Sequence, residues 1–159
     1  MILRQTQNKE DIFNLLSDPE LFKRVAEDGV IFGGFDFEIG SDIYFIIEVE
    51  DVPIGYWLLH PDNGSSTTLM IHAHILKQHR KHAYDAGCQI ISWFINGNDD
   101  NIQKLVAEIP VIYQDVYHFT KKFGFQNEGI NRKSIMKGGE LTDQYRLGIT
   151  KSEAKTWAA

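Results

Sequence analysis

Between residues 43 and 95 the chain changes its hydrophobic period, and this change narrows the folds open to it more than any other feature. Three runs rich in β-branched and aromatic residues come first, at 43–50, 54–59 and 67–76, and runs of that kind form strands. Residues 51–55 supply the turn of a hairpin between the first two, and Pro61-Asp62-Asn63-Gly64 supplies a second turn. From 82 to 95 the apolar residues Ala86, Ile90, Trp93 and Phe94 recur at helical spacing and form an inward face. A short strand at 104–109 follows. Strands alternating with helices in this way place helices against a sheet.

The flanks extend the pattern. Residues 1–5 read as a short first strand and residues 8–28 as helix in two pieces. Ile12, Phe13, Leu15 and Leu16 make one apolar stripe, and Leu21, Phe22 and Val25 another. Ser17-Asp18-Pro19-Glu20 between them is a restart signal, a capping side chain followed by proline at the first helical position. Residues 96–101 end the central helix, 112–123 form an amphipathic helix, and 125–149 hold two last strands around Lys137-Gly138-Gly139. The order β-αα-β-β-β-α-β-α-β-β predicts an α/β fold with a mixed sheet and helices on both faces. No repeat, low-complexity tract or linker interrupts it, so residues 1–159 are expected to form one domain.

Composition excludes several function classes. A chain 43% hydrophobic and 12% aromatic has enough apolar surface to fold. Its net charge of −6 argues against holding nucleic acid by phosphate neutralisation. No apolar run approaches the roughly 20 residues that span a bilayer, and the N-terminus lacks the apolar region of a signal peptide. Cys88 is the single cysteine, beside Ile90 and Ile91, and reads as a buried structural thiol in an intracellular, cytoplasmic protein. No metal site is expected. One stretch departs from the acidic background: Lys77-Gln78-His79-Arg80-Lys81-His82 is locally basic and suits a small anion.

Two stretches carry a resemblance to a known family. The strand Thr68-Leu69-Met70-Ile71-His72-Ala73-His74-Ile75 runs into Leu76-Lys77-Gln78-His79-Arg80-Lys81-His82-Ala83-Tyr84-Asp85 and then a helix. Further on, Val116-Tyr117-His118-Phe119-Thr120-Lys121-Lys122-Phe123-Gly124-Phe125 ends a helix in a glycine-phenylalanine pair, followed by Asn127-Glu128-Gly129 and, later, Asp143-Gln144-Tyr145. With the element order, these resemble the GNAT superfamily of acyl-CoA N-acyltransferases over about residues 40–150. The resemblance implies that fold, with acetyl-CoA as co-substrate and a primary amine as acceptor.

It also implies site residues. Arg80 takes the place of the phosphate motif's first residue, Ala83 that of its first glycine and Asp85 that of its last small residue, with Lys81, His82 and Tyr84 between. Unpartnered amides and the dipole of a helix N-terminus attract a pyrophosphate there. Asp85 is expected to cap the helix's first turn and so to occupy amides the pyrophosphate would use. The alternative is an ordinary capped helix with a solvated basic entry. Ala73 and Ile75 would flank the pantetheine arm, and Tyr113 stands where relatives carry an asparagine.

Relatives commonly donate a proton to the leaving thiolate from a tyrosine four residues before the glycine-phenylalanine pair. That position is Thr120, too weak an acid, whereas Tyr117 lies on nearly the same helix face and is the candidate acid. His72 and His74 titrate in the range of a general base. Alternation, however, puts them with Met70, opposite the face of Leu69, Ile71, Ala73 and Ile75 that would carry the base in many relatives, so a structural role is expected of them.

Two readings stay open. One is an N-acetyltransferase. The other is a GNAT-fold binding or assembly module that has lost its chemistry, similar to small acetyltransferase-like proteins of tailed bacteriophages, some associated with head assembly. The acceptor, a small molecule or a protein, is left to the loops at 32–41 and 130–141. No nucleic-acid or membrane partner is expected, and homodimerisation is left open.

Overall fold

The computed structural model describes residues 1–97 and 100–159. Its strands are β1 (Ile2–Thr6), β2 (Ile43–Val49), β3 (Val52–Pro61), β4 (Thr68–Ile75), β5 (Lys104–Pro110), β6 (Gln126–Lys137) and β7 (Glu140–Thr150). Its α-helices are α1 (Lys9–Leu16), α2 (Pro19–Val25), α3 (Ala83–Asn96), α4 (Gln114–Lys121) and α5 (Lys151–Ala158). The strands form the mixed sheet expected, in the order β1-β2-β3-β4-β5-β7-β6. β4 and β5 run parallel, with Thr68–Met70 in register with Lys104–Val106. The pairs β1–β2, β2–β3, β5–β7 and β6–β7 are antiparallel. Of the expected helix stop at 96–101, Asn98 and Asp99 lie outside the described residues.

Local chemistry explains the helix boundaries. Asn8 caps α1, its Oδ1 accepting from the Glu10 amide at 3.1 Å. Asp18 caps α2 by accepting from the Leu21 amide at 2.9 Å, with Pro19 in the first turn, so the restart signal is a cap. Helix α5 was not expected. It is set by a capping box: Thr150 Oγ1 accepts from the Glu153 amide at 3.3 Å, and Glu153 Oε2 accepts from the Thr150 amide at 2.8 Å. Its Trp157 donates from Nε1 to the Lys122 carbonyl at 2.8 Å. Gly124, at φ +86°, leaves room for Trp157, since a Cβ there would stand 3.3 Å from its Cβ, Cγ and Cδ1.

The first hairpin turns earlier than residues 51–55. Glu50 and Asp51, at φ 52° and 63°, make a two-residue turn, and Pro53 and Gly55 fall inside β3. Gly55 serves close approach, not turning: a Cβ there would lie 2.3 Å from the His74 carbonyl oxygen and 2.8 Å from Ile75 Cα. Gly55→Ala should therefore cost about 1–3 kcal/mol through overpacking, measured by denaturant unfolding. An unchanged midpoint would mean that β4 does not press on this backbone.

The chain divides into two compact units. The first comprises Met1–His60 with His72–Gly87. Its core joins Ile12, Leu15 and Leu16 of α1 and Leu21 and Phe22 of α2 to Tyr44 and Ile46 of β2 and Tyr56 of β3. The second comprises Pro61–Ile71 with Cys88–Ala159. There Ile90, Ile91, Leu105, Val106, Leu147 and Ile149 are buried. Arg146 on β7 donates to Glu108 on β5 at 3.0 Å and also to Asp62. Cys88, expected to be buried, is only half-buried. Among the described residues, no helix is long and apolar enough to cross a membrane.

Candidate functional site

In the first unit β4 leads directly into the basic stretch, and the stretch is not an open loop. Residues Lys77–His82 form a 3₁₀ helix that runs into α3. The His79 amide donates to the Leu76 carbonyl at 2.9 Å, and the Ala83 amide donates to the carbonyl of Arg80. This corrects two expectations. The amide of Ala83 is engaged within the turn, and Asp85 caps nothing: it is exposed in the first turn of α3 and accepts no hydrogen bond among the described residues. The side chains tell the opposite story. Lys77 pairs with Glu20 at 3.3 Å, but Arg80 and Lys81 meet no carboxylate among the described residues. His79 and His82 lie with ring centroids 6.5 Å apart beside them. Tyr84 is half exposed. Arg80, Lys81, His82, Ala83, Tyr84 and Asp85 thus share one short segment whose cations are available to an anion.

Immediately upstream, β4 exposes Ala73 and half-buries Ile75. His72 and His74 share the other side, as alternation requires, and there they join the aromatic side chains of the first unit's core. Ring centroids are 6.1 Å apart for Tyr44–Tyr56, 4.8 Å for Tyr56–His74 and 6.2 Å for His72–His74. The row ends at His60, whose Nε2 lies 3.0 Å from that of His72. Sequence reasoning passed over His60. The turn at Pro61-Asp62-Asn63-Gly64, which folds the end of β3 back beside β4, was the signal that could have found it.

Burial, and secondarily His60, lowers the His72 pKa to about 4. Burial raises the Tyr44 hydroxyl to about 12 and the Tyr56 hydroxyl further still, so both phenols stay neutral. The His72 shift has a consequence for stability. Its folded pKa lies below the unfolded value near 6.5, so between those values the unfolded chain binds a proton that the folded chain refuses. The contribution is complete above pH 6.5 and is lost as pH falls toward 4. At about 1.4 kcal/mol per pH unit the loss approaches about 3 kcal/mol, less what solvent reaching the half-buried ring removes. Unfolding measured at pH 7 and pH 4.5 should show a smaller drop in His72→Gln than in the wild type. Equal drops would show that His72 accepts its proton in the folded chain.

The second unit holds the remaining candidates on α4. Tyr113 precedes the helix, its amide donating to the Pro110 carbonyl at 2.9 Å and its carbonyl accepting from the Tyr117 amide at 3.1 Å. The Tyr117 hydroxyl accepts from Asn127 Nδ2 at 3.2 Å, and its ring lies 4.4 Å from that of Tyr145. Lys121 Nζ stands 5.7 Å from the Tyr117 centroid. The Tyr145 hydroxyl accepts from Gln114 Nε2 at 2.9 Å. Each phenol therefore accepts one bond and keeps its own proton to donate. Thr120 cannot do the same, because its hydroxyl donates to the Val116 carbonyl of its own helix at 2.9 Å. Tyr145, quoted only as part of a motif, was missed as a partner of Tyr117.

The candidates thus fall into two sets: His72, Ala73, His74, Ile75 and 80–85 in the first unit, Tyr113 and Tyr117 in the second. A separate groove of about 310 Å³ along α1, α2 and the segment after them, lined by Phe22, Lys23, Glu27, Val30 and Phe32, contains none of them. Among the described residues no group of three or more His, Cys, Asp or Glu side chains is placed to hold a metal ion.

No protein-family model matches the sequence, and no curated protein does. Solved structures match it in fold. Spermidine N-acetyltransferase from Vibrio cholerae, in complex with CoA and spermine, is similar with a TM-score of 0.76 at 17% identity, over 96% of this chain and 98% of that one. The spermidine/spermine N-acetyltransferase SpeG of the same organism, in complex with manganese ions, gives a TM-score of 0.72 at 16% identity, over 99% and 96%. Mutant forms of it give 0.74 at 17%, over 99% and 98%. At such identities the likeness establishes the fold: this chain has the mixed-sheet fold of the acyl-CoA N-acyltransferases, as the family resemblance implied.

Proposed function

We propose that the chain is an N-acetyltransferase that moves an acetyl group from acetyl-CoA to a primary amine. The observation that carries this reading is the basic 3₁₀ helix at the end of β4, where Arg80 and Lys81 meet no carboxylate among the described residues at the entry to a 14-residue helix. An anion there gains charge-assisted hydrogen bonds and the helix dipole. The residues present fit a pyrophosphate through side chains more than through amides, because the Ala83 amide is already bonded. Arg80, Lys81 and His82 would hold it with the first turn of α3, Ala83, Tyr84 and Asp85. Ala73 and Ile75 would line the pantetheine arm.

In the reaction the amine nitrogen attacks the thioester carbonyl, the N–C bond forms and the C–S bond breaks. The nitrogen loses one proton and the sulfur gains one. Tyr117 is the donor to sulfur, with its phenol held by Asn127 and Tyr145. The segment 27–42 carries Glu27, Asp28, Asp36, Glu38 and Asp42 and no lysine or arginine; Lys9 pairs with Asp36 and Glu38, and the net acidity that is left suits a cationic acceptor. A polyamine, as bound by the Vibrio neighbour, is the first acceptor to assay. The assay is CoA thiol release from acetyl-CoA with spermidine and a panel of other primary amines. Release dependent on an amine supports the reading, and none with any amine counts against it.

One observation favours the second reading, a GNAT-fold binding module. Thr120 stands where relatives carry the tyrosine acid, and its hydroxyl is spent on Val116. Acetyl-CoA binding without turnover on any amine would select that reading. The structural neighbours lend no support to its narrower form, a phage head-assembly protein.

A further inference from the structure

The phenol assigned to the leaving sulfur has a primary amine of its own chain beside it. Lys121 follows Tyr117 by four residues on α4, which puts the two side chains on one face of the helix. Lys121 Nζ stands 5.7 Å from the Tyr117 ring centroid. The ring itself is fixed by Tyr145 at 4.4 Å and by His118, edge-on at 5.3 Å, and its hydroxyl by Asn127 at 3.2 Å. Lys121 is exposed at the end of the helix and meets no carboxylate among the described residues.

Most other lysines of the second unit are committed or covered. Lys104 pairs with Glu128 at 2.6 Å, and Lys133 donates from Nζ to the Leu141 carbonyl at 3.1 Å. Lys137 and Lys151 are buried. Lys122 and Lys155 are exposed like Lys121, but neither stands over the Tyr117 ring. That contact is what sets Lys121 apart. A thioester whose sulfur is within reach of the Tyr117 hydroxyl has its carbonyl carbon one bond further on. An amine tethered beside that carbon acts at an effective concentration above any reached in free solution.

We infer that Lys121 is an acetylation site of the chain itself, which takes the acetyl group from bound acetyl-CoA when no external amine is present. The inference rests on the function proposed above. The Lys121 ammonium first gives a proton to water. Its neutral nitrogen attacks the thioester carbonyl, the N–C bond forms and the C–S bond breaks. The nitrogen gives a second proton to water, while Tyr117 protonates the sulfur and recovers its own proton from solvent. The acetylated side chain carries no charge, so the cation over the Tyr117 ring is lost.

The test is a time course of the intact chain with acetyl-CoA alone, read by peptide mass spectrometry and paired with calorimetry. Lys121 should gain one acetyl group about tenfold or more faster than Lys122, its exposed neighbour. That rate should level off as acetyl-CoA fills its site and should not change when the protein is diluted. Lys121→Arg should bind acetyl-CoA like the wild type and lose this label alone. Equal labelling of Lys121 and Lys122 is acetylation by free acetyl-CoA and overturns the inference. A rate proportional to protein concentration means that one chain acetylates another, and overturns it too. Bound acetyl-CoA with Lys121 unlabelled also overturns it; if spermidine is acetylated all the same, the transfer reading stands. Calorimetry showing no acetyl-CoA binding removes the transfer reading and the inference with it.

Discussion

Tyr117→Phe should lower turnover by about 100-fold or more, with little change in acetyl-CoA affinity. The leaving thiolate needs a proton, and a positioned acid supplies about 10²–10⁴ in rate. The phenol is oriented from two sides, by the amide of Asn127 at 3.2 Å and by the Tyr145 ring at 4.4 Å. Removing one oxygen keeps the ring and its packing, so folding should persist and the loss should fall on kcat. Thr120→Ala is the control. Its hydroxyl only closes a bond to Val116, so activity should stay near wild type. Steady-state kinetics of the two variants against a common amine make the measurement. Equal turnover in wild type and Tyr117→Phe would leave water as the donor and remove Tyr117 from the mechanism.

Arg80→Ala should weaken acetyl-CoA binding by about 1.5–3 kcal/mol, the range for a lost hydrogen bond to a charged group. Because the Arg80 guanidinium meets no carboxylate among the described residues, the substitution breaks no internal ion pair, and apo stability should hardly move. That separation is the useful part of the prediction. Lys77→Ala breaks the pair with Glu20 and touches no proposed phosphate contact, so it should affect binding far less. Titration of each variant with acetyl-CoA measures both, and equal affinities for wild type and Arg80→Ala would place the ligand elsewhere.

The parts of this molecule legible in the sequence were those fixed by neighbouring residues. The change of period near residue 82 announced the β4-to-α3 junction, and Asp18-Pro19 announced the break between α1 and α2. The Thr150-x-x-Glu153 box is equally local, but the segment after it is short and weakly apolar and so gives little helical signal. Other features depend on distant contacts. Gly55 looks like a turn glycine until the backbone of His74 and Ile75 is brought against it. The meeting of His60 with His72 depends on how β3 and β4 pair, which alternation alone does not give. Asp85 resembles a cap only if the residues before it form a loop. Once Lys77–His82 wind into a 3₁₀ helix, the place a cap would occupy is already helical.

Binding of acetyl-CoA at the end of β4 is the step on which everything proposed for this fold depends. Calorimetric titration of the intact chain with acetyl-CoA, paired with thermal unfolding, tests it most directly. One acetyl-CoA per chain should bind saturably and add about 2.7 kcal/mol of stability at 100 times the dissociation constant, both weakened in Arg80→Ala. No heat of binding and no shift in unfolding at millimolar acetyl-CoA would contradict it.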